Sequence, residues 1–273
     1  MTVDARDLVL NNGVTIPQLG YGVFRVPVDE VQAQVEHAVA SGYRHVDTAQ
    51  AYGNEEGVGA AIRAVGRERV FVTTKLWNSD QGYEQALRTF EESRRRLGVD
   101  QVDLYLIHFP APQRMLWAET WRAFEKLYAD GAVRAIGVSN FKFPYLDRLL
   151  KVAEVVPAVH QIEVHPTYQQ AELDALSRAH GLVVEAYSPL GQGTDLTSPV
   201  VAGIAAAHGV EAAHVILAWH LQRGRVALPT SQKPARIASN IQVGDLLLTG
   251  DELTAIDGLE AGLRTGEDIE TFN

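Results

Sequence analysis

Short apolar runs alternate along this chain with stretches in which apolar residues recur every three or four positions. The runs 19–24, 45–48, 70–75, 102–108, 135–139, 159–164, 183–187 and 226–229 are β-branched, aromatic or aliphatic in character and predict eight buried strands. Between them lie one-sided apolar sets: Val31, Val35, Val39; Leu87, Phe90, Leu97; Trp117, Trp121, Phe124, Tyr128; Leu146, Leu149, Leu150, Ala153; Leu173, Leu176, His180; Val201, Ile204, Ala205, His208. Each set stays on one side of a helix and so predicts an amphipathic helix packed on the strands. Strict alternation implies parallel strands with crossover helices, and eight units favour a closed barrel over an open sheet. The expected fold class is therefore α/β, a (β/α)8 TIM barrel. Residues 8–10 and 14–16 flank Asn12-Gly13 and predict a hairpin with a type I′ turn ahead of the repeat. Helical patterns at 215–222 and 252–259 fall outside the alternation and read as extra C-terminal helices.

The length of 273 residues and a hydrophobic fraction of 46% suit one such barrel. No linker, low-complexity tract or charge block divides the chain, so 1–273 is expected to form a single domain. Lys and Arg number 24 against 34 Asp and Glu, a net charge of −10, which argues against a nucleic-acid or anionic-membrane partner. With zero cysteines, disulfides, thiolate metal sites and thiol nucleophiles are excluded. No run of about 18 apolar residues occurs, and the opening MTVDARDLVLNNG lacks a signal-length apolar stretch. A cytoplasmic monomer is expected.

In a barrel of this kind the active site lies where the strands end. The predicted exits carry Tyr21-Gly22, Asp47, Lys75, His108, Ser139-Asn140, Gln161, Tyr187-Ser188 and Thr230-Ser231. Asp, Lys and His at three consecutive strand ends point to a catalytic set, although Asp47 and Lys75 alone could be a structural ion pair. Tyr52, five residues after Asp47, can fold back over the barrel mouth. Gly20 and Gly22 begin a dinucleotide-type glycine pattern, but Arg25 stands where its third glycine belongs. A metal reading of His160, Glu163 and His165 fails on strand parity, because His160 faces the opposite side; no metal is expected. His37, His45, His180, His208, His214 and His220 receive no role.

The stretches GYRHVDTAQAYGNEEGVG, TTKLWN, VDLYLIHFP, IGVSNF, QIEVHP, YSPLG and PTSQKPARIASN, in this order, resemble the aldo-keto reductase family over essentially the whole chain. Within it the likeness is greatest to bacterial 2,5-diketo-D-gluconic acid reductases. The resemblance implies an NADPH-dependent carbonyl reductase, with NADH possible, acting on a small-molecule carbonyl substrate. Tyr52 would be the proton donor, Lys75 would favour its ionisation, Asp47 would pair with the lysine, and His108 would orient the carbonyl. Ser139, Asn140 and Gln161 would surround the nicotinamide carboxamide and Tyr187 would stack on its ring. Gly22 and Asp47 complete that side, and the backbone amides of the loop 188–193, with Ser188, Leu190 and Gln192, would approach a pyrophosphate. Beyond strand 8, Thr230 and Ser231 fall at the adenosine 2′-phosphate site with Lys233 as a nearby cation, Arg236 would pack on the adenine and reach the phosphate, and Asn240 would contact the adenine. Thr230 replaces a usual lysine there, Ser239 a usual acidic residue, and His160 a frequent asparagine.

Phe24, Trp77 and Phe109, with Tyr52 and His108, match substrate-pocket positions. Phenylalanine at 24 and 109 in place of tryptophan implies a roomier site. The tail to Phe272-Asn273 is expected not to close over it. Two other functions remain on the sequence: a nicotinamide-binding regulatory barrel without turnover, and an aldolase using Lys75 as Schiff-base former.

Overall fold

Inward and outward positions alternate along every barrel strand, so each strand must be covered on both faces, and the architecture follows from that demand. The computed structural model describes residues 7–244 and 246–266. It opens with an antiparallel pair, β1 (Asp7–Val9) and β2 (Thr15–Pro17). The barrel strands follow: β3 (Tyr21–Gly22), β4 (His45–Asp47), β5 (Phe71–Leu76), β6 (Val102–Ile107), β7 (Val133–Ser139), β8 (Val159–Glu163), β9 (Val183–Tyr187) and β10 (Val226–Leu228). They pair in parallel in sequence order. The ring closes at a parallel bridge between Leu19 and Ala227, where Gly20 N–H donates to Ala227 O at 2.9 Å and Ala227 N–H to Gln18 O at 2.9 Å.

Helices α1 (Val31–Ser41), α2 (Glu55–Val65), α3 (Tyr83–Leu97), α4 (Trp117–Ala129), α5 (Phe143–Val152) and α6 (Ala171–Ala179) connect successive strands. After β9 come α7 (Pro199–His208) and α8 (Ala212–Gln222), and after β10 come α9 (Pro234–Ile241) and α10 (Gly250–Asp257). The helix at 215–222 is no decoration: Val215 to His220 are buried and α8 packs on β10, so it is the last crossover. The extra helix there is α7, stacked against α8.

Two helices, α2 and α9, are absent from the apolar sets given above, although in α2 Val58, Ala61, Ile62 and Val65 recur at helical spacing on its inner side. In α2 two glycines weaken intrinsic helicity, yet Gly59 is needed for packing: a Cβ there would stand 2.5 Å from Leu97 O. The α2 backbone thus presses on the end of α3, a tertiary contact that the apolar period of the helix does not reveal.

The hairpin turn differs from expectation. Gly13 alone has positive φ (+82°), and Gly13 N–H donates to Leu10 O at 2.9 Å while Leu10 N–H donates to Val14 O at 2.8 Å. This is a three-residue loop whose glycine takes the left-handed position, so Asn12 needs no positive φ. The hairpin plugs the barrel floor, where Leu10 and Ile16 join Phe71, Leu104, Leu106, Ala135, Val159, Val226 and Leu228 in one apolar cluster.

Close strand contact inside the barrel leaves no room at Gly137 on β7. A Cβ there would lie 2.4 Å from Val159 O, a backbone atom, and 2.7 Å from a Leu106 methyl. Gly137→Ala is expected to destabilise the fold by about 2–3 kcal/mol through overpacking. A lower urea midpoint with unchanged m would confirm it, and an unchanged midpoint would show that β7 and β8 can part without cost.

Candidate active site

Above the apolar floor the inward positions turn polar. Asp47 ends β4 and Lys75 lies one pair from the end of β5; Lys75 is fully buried, its Nζ donating to Asp47 Oδ1 at 2.6 Å and to Thr48 O at 2.9 Å. A buried ammonium needs such partners, because its desolvation cost is otherwise uncompensated. Burial pulls its pKa down, but Asp47, with Tyr52 and Glu185 behind it, more than offsets that and holds the lysine above its usual value.

Tyr52 is brought over this pair by a single-turn helix, Gln50–Tyr52, and by three anchors around it. Gln50 Nε2 donates to Asp80 Oδ2 at 2.5 Å, Gln50 Oε1 accepts from Trp77 N–H at 2.9 Å, and Asn54 Nδ2 donates to Val23 O at 3.0 Å. Lys75 Nζ then stands 5.2 Å from the centre of the Tyr52 ring. The effect on acidity differs from the sequence expectation: burial raises the Tyr52 hydroxyl above its usual pKa, and Lys75 only opposes that rise.

His108, just beyond β6, meets the Tyr52 ring edge-on at 5.8 Å and Trp77 at 5.2 Å. Burial and Lys75 push its pKa well below 6.5, so it is neutral at pH 7. Its Nδ1 is buried without a partner among the described residues. A bare acceptor is better tolerated there than an orphaned N–H, so the proton is assigned to Nε2.

These groups face a cavity of 620 Å³ at the C-terminal mouth of the barrel. Its wall takes in Gly22, Phe24, Asp47, Tyr52, Trp77, His108, Phe109, Ser139, Asn140, Gln161, Tyr187, Ser188, Gln192 and Thr230, all expected from sequence. Lys75 lies beneath it. Leu190 instead packs on the outer core, while Ser231, Lys233, Arg236 and Asn240 sit outside the cavity in the loop after β10 and on α9. Ser239 is drawn away from that surface, its hydroxyl donating to Glu211 Oε2 at 3.1 Å.

Several wall residues were not expected: Arg25, Gln50, Ala51, Leu228 and the segment Arg264, Thr265 and Gly266. That segment is held by Glu163, whose Oε1 accepts from Thr265 N–H at 2.6 Å and Thr265 Oγ1 at 2.7 Å, with Arg264 Nε 3.3 Å from Oε2. His165 lies behind, 3.3 Å from Glu163 and 2.7 Å from Asp195. These carboxylates lift His165 to about 9, and their partners hold Glu163 near 2. The tail therefore reaches the cavity at least to Gly266, and the rest of the expectation about it lies outside the described residues. His160 faces the other way, to Ser177 Oγ at 2.8 Å, as strand parity requires.

Fold and site together define a parallel barrel with a buried cluster of Tyr52, Lys75, Asp47 and His108 at its strand ends. The aldo/keto reductase family profile matches residues 18–261, and the chain belongs to that family; it is an oxidoreductase working with a nicotinamide cofactor. It is 48% identical over 274 residues to a morphine 6-dehydrogenase of Pseudomonas putida, covering 95% of this chain and 93% of that one. It is 46% identical over 270 residues to a glyoxal reductase of Bacillus subtilis, covering 97% of each. A Bombyx mori aldo-keto reductase solved in complex with NADP superposes with a TM-score of 0.91 at 35% identity, covering 97% of this chain and 96% of that one.

Proposed function

We propose that this protein is an NADPH-dependent carbonyl reductase, with NADH a weaker alternative, in which Tyr52 gives the proton to the carbonyl oxygen of a small aldehyde, ketone, dicarbonyl or keto-sugar. The carrying observation is the stack of Tyr52 over the fully buried Lys75–Asp47 pair, beside His108, in the wall of one cavity. The wall suits a nicotinamide. Ser139, Asn140 and Gln161 offer the mixed donors and acceptors a carboxamide needs, and Gly22 leaves open the space before Thr230, where a Cβ would meet Oγ1 at 2.8 Å. When bound, the reduced nicotinamide supplies a hydride to the carbonyl carbon.

The protein's own groups manage the resulting charge. As negative charge grows on the carbonyl oxygen, the Tyr52 hydroxyl donates its proton and Lys75 stabilises the phenolate left behind. His108, neutral, donates through Nε2 without adding a second charge beside Lys75. Trp77 and Phe109, with the half-exposed Phe24 at the rim, supply the apolar part of the wall.

Glyoxal reductase and morphine 6-dehydrogenase, by their names, span a dicarbonyl and a secondary alcohol, which supports small carbonyls in general and does not select 2,5-diketogluconate. A Schiff-base role for Lys75 is disfavoured, because its Nζ is buried and doubly engaged. Absorbance loss of NADPH and of NADH, measured against a panel of aldehydes and ketones, tests the reading. Carbonyl-dependent oxidation is expected; cofactor binding with no turnover on any of them would instead establish a regulatory barrel.

Coenzyme preference gives a further expected result. Thr230 lines the cavity without a charge, and Arg236 is exposed on α9. Restoring a cation with Thr230→Lys should tighten NADPH by about tenfold or more, the worth of a charge-assisted bond to phosphate, and leave NADH nearly unchanged. Equal shifts of both dissociation constants at fixed ionic strength would place residue 230 away from the phosphate.

A further inference from the structure

Directly below the proposed catalytic group lies a carboxyl that the chemistry above does not use. Glu185, in the middle of β9, is wholly buried. The groups facing it are Gln161 from β8, Asp47 and His45 from β4, Lys75 from β5, and, over the pair, Tyr52. Lys75 does not pair with it, being committed to Asp47 and Thr48. His45 Nε2 is 3.7 Å away and donates or accepts at Thr73 Oγ1, and burial pushes this histidine down to about 3, so it brings no charge.

The side-chain amide of Gln161 links the two carboxyls. Its Nε2 donates to Glu185 Oε2 at 2.6 Å and to Asp47 Oδ2 at 2.9 Å. Both amide hydrogens are therefore spent inside the wall. Among the described residues no group donates to Gln161 Oε1, and Gln161 lines the cavity. The two ends of a glutamine amide have nearly the same shape, so its partners alone decide which end faces out. Asp47 by itself engages one hydrogen and leaves the other free to point into the cavity. Burial and the neighbouring Asp47 lift Glu185 to about 8, so at neutral pH it accepts this bond as the uncharged acid and adds no charge beneath Lys75.

We propose that Glu185 is a positioning residue for the nicotinamide: by holding the second hydrogen of Gln161 it turns the Gln161 carbonyl oxygen toward the cavity, as the acceptor for the carboxamide N–H. The inference rests on the nicotinamide-dependent reading above. It is tested by binding, with tryptophan fluorescence, of NADPH and of 2′-phospho-ADP-ribose, which carries the phosphates and adenine but no nicotinamide. In Glu185→Met the freed amide can present N–H to N–H, and NADPH should weaken by about tenfold, the worth of one hydrogen bond lost and one group mismatched. Affinity for the fragment should stay as in the parent. Glu185→Gln, which again offers a carbonyl oxygen to Gln161, should recover most of the NADPH affinity. If the methionine variant does not fold, Glu185→Asp withdraws the acceptor by one methylene and should show the same selective loss. Equal weakening of NADPH and fragment, no weakening of either, or a glutamine variant as poor as the methionine one would overturn the proposal. A parent protein that binds NADPH no better than the fragment would instead undercut the nicotinamide reading itself.

Discussion

Tyr52→Phe is expected to lower carbonyl turnover by about 10²–10⁴-fold, the usual worth of a positioned general acid, while NADPH binds as it does to the parent. The substitution removes one oxygen and keeps the ring. Its contacts with Phe24 at 5.0 Å, with His108 at 5.8 Å and with the Lys75 ammonium at 5.2 Å can all persist. The fold and cavity should therefore survive and only the proton be missing. Single-turnover reduction and cofactor titration on the same preparation separate the two effects. A variant reducing a good aldehyde at near-parental rate would falsify the assignment of Tyr52 as donor.

Lys75→Met should be the more damaging change, because it strands Asp47 in the barrel. Breaking a buried pair by removing one partner costs about 3–5 kcal/mol, and here the lost ammonium also held Thr48 O. The pH dependence has two parts. Lys75 has its folded pKa raised above the unfolded value, so the stabilisation it gives is fully present below the unfolded pKa and is lost only as pH rises through the folded one. The lysine stays charged from pH 6 to pH 8, while Glu185, which Lys75 helps to ionise near pH 8, holds its proton longer in the variant. The stability deficit should therefore be no smaller at pH 8 than at pH 6, and urea denaturation at both checks it. Turnover in the reductive direction needs Tyr52 protonated. Lys75 pulls down a pKa that burial raises, so without it the alkaline fall in rate should move to higher pH. A folded, slower variant with an unmoved alkaline limb would show that the lysine does not tune the acid.

The site was largely legible because strand parity and strand ends are written locally. Residues 159, 161 and 163 must share one face of β8, and residues 183, 185 and 187 one face of β9. That rule placed Gln161 and Tyr187 at the cavity, and it could have found Glu185 as well: an acid at an inward position of a fully buried strand is itself a signal. Glu185 lies one inward position below the strand exit, so a rule confined to strand ends does not reach it. No comparable local signal marks Arg264 to Gly266, which meet Glu163 about a hundred positions along the chain.

Hydrophobic periodicity by itself determined the eight strands, most of the helices and the barrel class, because burial of alternating or one-sided apolar faces admits few arrangements of this length. Residue chemistry at the strand ends determined which side chains could form the site. The tertiary structure alone decided that Lys75 is wholly buried against Asp47, that burial outweighs this lysine at Tyr52, and that Gly59 lets α2 press on the end of α3. It alone decided that Glu163 brings the C-terminal segment to the cavity and that Glu185 and Asp47 share one amide. The reason is common to all of these: desolvation, close backbone approach and shared hydrogen-bond partners depend on atoms distant in sequence, and no local pattern encodes their distances.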